Sequence, residues 1–105
     1  MPRHAFDGLT ESMFYVLMAL DRGEKCGSDI ASAVGSLSGK RVRLGPATLY
    51  TILAKFQEEK IIRETAVEGR KRTYAVTERG REMYQNELKR LKACIFDAEK
   101  GREDE

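Results

Sequence analysis

The segment Leu44-Gly45-Pro46-Ala47-Thr48-Leu49-Tyr50-Thr51-Ile52-Leu53 constrains the fold of this chain more than any other stretch. Pro46 suits the first helical position, where a missing N–H costs nothing because the opening turn has no internal acceptor, and Gly45 is tolerated just before it. From there Leu49, Ile52, Leu53 and Phe56 recur at i, i+3, i+4 and i+7, the spacing of one buried helical stripe. Thr48, Thr51 and Lys55 share the opposite face, with Ala47 and Tyr50 beside them toward the N-terminal end. On a recognition helix, short polar groups let the backbone approach the major groove, while threonine, tyrosine and lysine reach phosphates or base edges. Any surface helix also turns polar residues outward, so this face does not decide by itself.

The next element decides more. Ile62 to Val67 and Arg72 to Val76 are β-prone runs, with Tyr74 and Val76 alternating inward, and they flank Glu68-Gly69-Arg70-Lys71. Gly69 supplies the φ > 0 geometry of a tight turn. Arg70, Lys71 and Arg72 crowd three cations at the tip, an arrangement that repels itself and suits a phosphate backbone or a narrow minor groove. A reading helix followed by a basic hairpin is the layout of a winged helix.

Charge agrees once it is divided along the chain. The net value is only +2, but residues 1–37 hold three cations and five anions, residues 38–76 nine and four, and residues 77–105 seven and eight. The positive excess therefore coincides with the helix and hairpin, as on a DNA-binding face.

The remaining segments supply a scaffold. Residues 1–8 read as a flexible leader. Thr10 caps a first helix that Asp21-Arg22-Gly23 ends; Met13 to Leu20 is apolar without a break, too short to cross a bilayer, which needs about twenty residues. Val16, Leu17 and Leu20 are expected inward, leaving Phe14, Tyr15 and Met18 for a second protein surface. Ser28 to Leu37 reads as a second helix with Ile30, Ala31 and Val34 inward, and Val42-Arg43-Leu44 as a short third strand of the wing sheet. Residues 9–76 thus form the expected winged-helix domain. A long helix follows over residues 77–100, with Tyr84, Leu88, Leu91 and Ile95 at 4-3-4 intervals, a dimerisation seam on an otherwise charged helix. Gly101 is expected to end it, leaving residues 101–105 as a charged tail. The expected fold class is mainly α with a small β-wing (α+β).

The chain resembles the PadR family of bacterial and archaeal transcriptional regulators across about residues 8 to 98. The likeness is carried by Leu44-Gly45-Pro46-Ala47-Thr48-Leu49-Tyr50, Glu58-Glu59-Lys60-Ile61-Ile62, Gly69-Arg70-Lys71-Arg72-Thr73-Tyr74 and Val76-Thr77-Glu78-Arg79-Gly80. The resemblance implies a winged-helix homodimer whose C-terminal helix packs on its partner with help from the first helix, and which represses by occupying a palindromic operator. It places Thr48, Tyr50, Thr51 and Lys55 on the reading helix and Gly69, Arg70 and Lys71 on the wing. Two positions depart from the pattern. Lys60 stands where glycine is common, so the helix end either strains a non-glycine residue by roughly 1 kcal/mol or closes differently. Ser28 stands where an aromatic is common after Gly27, which leaves room beside the second helix or alters a phosphate contact.

Catalysis and metals find little support. His4 is the only histidine, Cys26 and Cys94 lack metal-ligand spacing, and no nucleophile elbow or phosphate loop is present. No cofactor is expected. A small-molecule effector between protomers, lined by Met13, Phe14, Met18, Tyr84 and Phe96, competes with plain dimer packing by the same residues. The reading is a cytoplasmic, homodimeric repressor that binds double-stranded DNA, with Phe14, Met18, Tyr84, Leu88, Leu91 and Ile95 at the dimer interface. The alternative is a winged-helix module that presents the same surface to a protein.

Overall fold

The computed structural model describes residues 8–104, so the expected leader, Gly8 excepted, lies outside it, as do His4 and Glu105. Helix α1 spans Glu11–Asp21 and is capped by Thr10, whose hydroxyl accepts from the Met13 N–H at 3.1 Å. Strand β1 is Lys25–Cys26, α2 is Gly27–Leu37, α3 is Pro46–Glu58, β2 is Ile62–Glu68, β3 is Lys71–Val76 and α4 is Glu78–Asp104. The fold class is α+β: among the described residues, four helices with an antiparallel sheet in the order β1-β3-β2.

The third strand is not Val42-Arg43-Leu44. Val42 is buried in the core and its neighbours form an irregular link held by the Ser38 side chain, whose hydroxyl accepts from the Val42 N–H at 2.9 Å. Lys25 and Cys26 take the sheet edge instead, opposite Tyr74 and Thr73. A two-residue strand is too short for alternation to reveal it.

Apolar spacing becomes a core in α1, α2 and α3. Val16, Leu17, Leu20, Ile30, Val34, Leu49, Ile52, Leu53 and Phe56 converge with Ile61, Ile62 and Tyr74, while Ala31 is only partly covered. Phe14 does not face outward as expected. It is 9% exposed and packs its ring against Tyr84 of α4, 8% exposed, with centroids 5.3 Å apart. Because α1 is apolar nearly all round, its pattern could not fix which side meets α4. Burial pushes the Tyr84 phenol above its ordinary pKa.

The α3–β2 joint explains two conspicuous residues. Lys60 adopts φ 61°, its N–H donating to the Gln57 carbonyl at 3.0 Å and the Ile61 N–H to the Phe56 carbonyl at 2.8 Å. That is a complete Schellman closure with lysine in the position that favours glycine, so the strained alternative is the one realised. The Thr77 hydroxyl donates to the carbonyls of Lys60 at 2.7 Å and Ile61 at 2.9 Å and accepts from the Gly80 N–H at 3.1 Å. A Cβ on Gly80 would collide with the Ile61 carbonyl oxygen and come within 2.7 Å of Val76 Cγ2. Only glycine lets the first turn of α4 sit this close to the joint.

Helix α4 does not stop at Gly101 but continues to Asp104. One glycine costs a helix only about 1 kcal/mol, too little to guarantee an end. Among the described residues, no helix is long and apolar enough to cross a membrane.

Candidate nucleic-acid interface

Helix α3 starts as its sequence dictates, with Gly45 in extended geometry before Pro46. Leu49, Ile52, Leu53 and Phe56 are buried, which forces Ala47, Thr48, Tyr50, Thr51 and Lys55 to the exposed side. Their individual environments differ. The Thr51 hydroxyl is turned back onto its own helix and donates to the Ala47 carbonyl at 2.9 Å. Tyr50 is 57% exposed, yet its hydroxyl end lies over the start of α2, where a Cβ on Gly27 would stand 3.5 Å from it.

The wing turns at Gly69, φ 62°, between Glu68 and Lys71, which pair across the hairpin. A bulge between Glu64 and Ala66 leaves Thr65 out of register, and its hydroxyl donates to Glu24 at 2.6 Å. The three wing cations are not equivalent. Arg72 donates to the Glu64 carboxylate at 2.8 Å, and that hydrogen bond holds its guanidinium pKa above the ordinary value. Among the described residues Arg70 and Lys71 form no ion pair. Beneath them Tyr74 is buried, and burial raises its phenol pKa.

These pieces enclose one open cleft of about 690 Å³. Cys26, Gly27, Ser28 and Asp29 from the start of α2 form one wall, Arg70, Lys71 and Arg72 the other, and Tyr50 and Tyr74 complete it. Ser28, small where an aromatic would fill the space, belongs to the opening, and its hydroxyl lies 3.3 Å from Cys26 Sγ. Sequence reasoning placed the helix and wing cations and named Ser28 as opening space beside α2 or altering a phosphate contact, but did not count Cys26, Gly27 and Asp29 among the site residues. The usable signal was the Gly27-Ser28 pair, which keeps that helix start uncrowded.

The expected dimer residues separate into two sets. Phe14 and Tyr84 are spent inside their own chain, and Met18, Leu88 and Leu91 are partly covered by it. Ile95, 60% exposed, and its neighbour Phe96, 64% exposed, are bare. A smaller cleft of about 350 Å³ lies between α1 and α4, with Phe14, Tyr15 and Leu91 along it and Glu87 and Arg90 at its edge. Of the expected effector-lining residues, it includes Phe14 but not Met13, Met18, Tyr84 or Phe96.

Comparison with known proteins gives this geometry a family. The model of the transcriptional regulator PadR-like family matches residues 16–86, from α1 through the first turns of α4. The chain belongs to that family. Its members are transcriptional regulators, not enzymes. A curated relative, an uncharacterized 37.1 kDa protein in transposon TN4556 of Streptomyces fradiae, is 33% identical over 91 residues, or 84% of the chain. The chain spans 26% of the length of that relative. Among solved structures, a transcriptional regulator from Clostridium thermocellum superposes with a TM-score of 0.74 at 18% identity, over 89% of this chain and 97% of the other. RosR of H. salinarum gives 0.70 at 18% identity, over 93% and 99%. Bacillus subtilis PadR, solved in complex with operator DNA, gives 0.64 at 25% identity, over 72% of this PadR-like chain and 45% of that one.

Proposed function

We propose that the chain is a repressor acting in the cytoplasm as a homodimer on an inverted-repeat operator, with residues 9–76 reading DNA and residues 77–100 joining the protomers. The observation that carries this is the cleft between the wing and α2, in which Arg70 and Lys71, without an ion pair among the described residues, line one wall opposite the start of α2, with Tyr50 between. Backbone N–H groups at a helix start and lysine or arginine side chains are complementary to phosphate. A surface for a protein partner would instead concentrate apolar anchors; among the described residues Phe96 and Ile95 are adjacent on α4, whereas the α3 and wing face exposes only the scattered Tyr50 and Val67 as large hydrophobics.

Ile95 and Phe96 supply the surface for the second copy. A two-fold axis then presents two α3 helices to successive major grooves, with half-sites about 34 Å apart. The structure of B. subtilis PadR with operator DNA supports the same use of the fold here. Selection of duplexes from a randomised library by the purified protein tests the reading, and an inverted repeat is the expected product. Arg70→Ala with Lys71→Ala should then weaken specific and random duplexes alike and reduce the log–log salt slope by about 1.8 per half-site, or about 3.6 for the dimer on a full operator. A double variant with the parental slope would remove the wing from the interface.

A further inference from the structure

On the exposed face of α3, the hydrogen bond from Thr51 to Ala47 changes what that face can read. A threonine Cβ carries two branches, a hydroxyl and a methyl. The hydroxyl has one proton, and Thr51 donates it to the Ala47 carbonyl one turn earlier at 2.9 Å. The other branch, the Cγ2 methyl, is left on the exposed side of a residue that is itself exposed. Ala47 stands at i−4, the neighbouring position on a helix surface, and it too is exposed and offers only a methyl. The centre of the reading face is therefore an apolar patch of two adjacent methyl groups. Thr48, whose hydroxyl enters no such bond, and Lys55 flank it.

In the major groove of DNA the bases present hydrogen-bond donors, acceptors and a single kind of apolar group, the C5 methyl of thymine. A methyl pair whose one hydroxyl proton is already used inside the helix matches that group and offers no donor to the N7, O6 or O4 acceptors. We infer that the Ala47–Thr51 methyl patch reads thymine in each half-site by its C5 methyl, so that Thr51 contributes shape and apolar contact rather than a donated hydrogen bond. This rests on the proposed operator binding and gives it a chemical preference: a thymine whose methyl is covered by α3.

Deoxyuridine differs from thymidine only by that methyl and pairs with adenine identically, so it isolates the contact. The experiment uses the full chain and a duplex selected from the randomised library, with thymines replaced by deoxyuridine one position at a time. At one thymine per half-site the replacement should lower affinity about fourfold, and about fifteenfold when both half-sites are changed, the scale of one and two methyl groups kept from water. Thr51→Ser, which keeps the hydroxyl and deletes one methyl of the pair, should reduce the preference for the thymine over the deoxyuridine duplex to what Ala47 alone supplies. Thr51→Val, which keeps the methyl and deletes the hydroxyl, should retain the parental discrimination. Thr51 is on the surface, and circular dichroism of each variant checks that the fold is unchanged.

Equal affinity of the parent for thymine and deoxyuridine at every position would overturn the inference. So would loss of binding by Thr51→Val with full binding by Thr51→Ser, which would make the hydroxyl the reading group. A protein that selects no sequence at all would take the operator reading down with it. One that selects a site but ignores the methyl defeats only the inference made here.

Discussion

From Glu78 to Leu91, α4 lays Tyr84, Leu88 and Leu91 against the rest of its own chain; from Lys92 to Gly101 every residue is exposed, Ile95 and Phe96 among them. The same 4-3-4 spacing runs through both halves, so periodicity alone does not say which protein a seam is for. The near half is already occupied: Phe14 stacks on Tyr84, and Arg79 and Arg81 reach Glu59 and Asp21 at 3.7 and 3.8 Å. The far half keeps its apolar groups exposed, so the part of the seam used within the chain and the part left open to the proposed second copy fall on different residues. Leu91, on the boundary, serves its own core, which makes Ile95 the cleaner place to attack association.

Ile95→Asp gives the largest expected effect. It places a carboxylate in the proposed apolar contact twice, once per protomer, and should weaken dimerisation roughly a hundredfold or more. Light scattering should report monomers while the unfolding midpoint of the monomer stays near the parental value. A variant that remains fully dimeric would move the interface away from the far half. Gly80→Ala attacks the near half instead. The added Cβ meets backbone, which cannot rotate aside, and the cost should be about 3 kcal/mol in urea unfolding. Lys60→Gly acts at the same joint in the opposite direction. Relieving the left-handed lysine should stabilise the fold by about 0.5–1 kcal/mol, net of the added freedom of the unfolded chain.

The smallest effect lies where the halves meet. Arg90 donates to both Glu87 carboxylate oxygens at 2.8 and 2.6 Å and holds that carboxyl below the usual range. A carboxyl with a lowered pKa binds fewer protons folded than unfolded. Its stabilising effect is therefore complete above the ordinary carboxylate range and is lost as pH falls through the lowered value. Acid titration should show this as no more than about 2 °C of Tm, absent in Glu87→Gln, because the pair is solvent-screened.

Most of the structure of α3 and the wing was legible in the sequence. The Gly45-Pro46 start, the stripe from Leu49 to Phe56 and the Gly69 turn each depend on local geometry, and local geometry is written in adjacent residues. Failures came where a choice was made by distant groups. Phe14 could have turned either way on an all-apolar helix until Tyr84 claimed it. Lys25 and Cys26 became strand only because β3 offered them an open edge. The face of α3 was correctly placed on the outside, but the direction of the Thr51 hydroxyl and the approach of Tyr50 to α2 are matters of rotamer and packing. A helical wheel carries neither.

Thr77 gives the molecule a fulcrum. Its hydroxyl ties the end of α3 to the start of α4, and the 27 residues of α4 make a lever about 40 Å long from that point. A tilt of about 5° at the joint swings the far tip by about 3.5 Å, close to the rise of one base pair. The direction of α3 relative to the distal arm is therefore set by the few hydrogen bonds among Lys60, Ile61, Thr77 and Gly80, where a small tilt is magnified to the spacing of bases on an operator such as the one proposed.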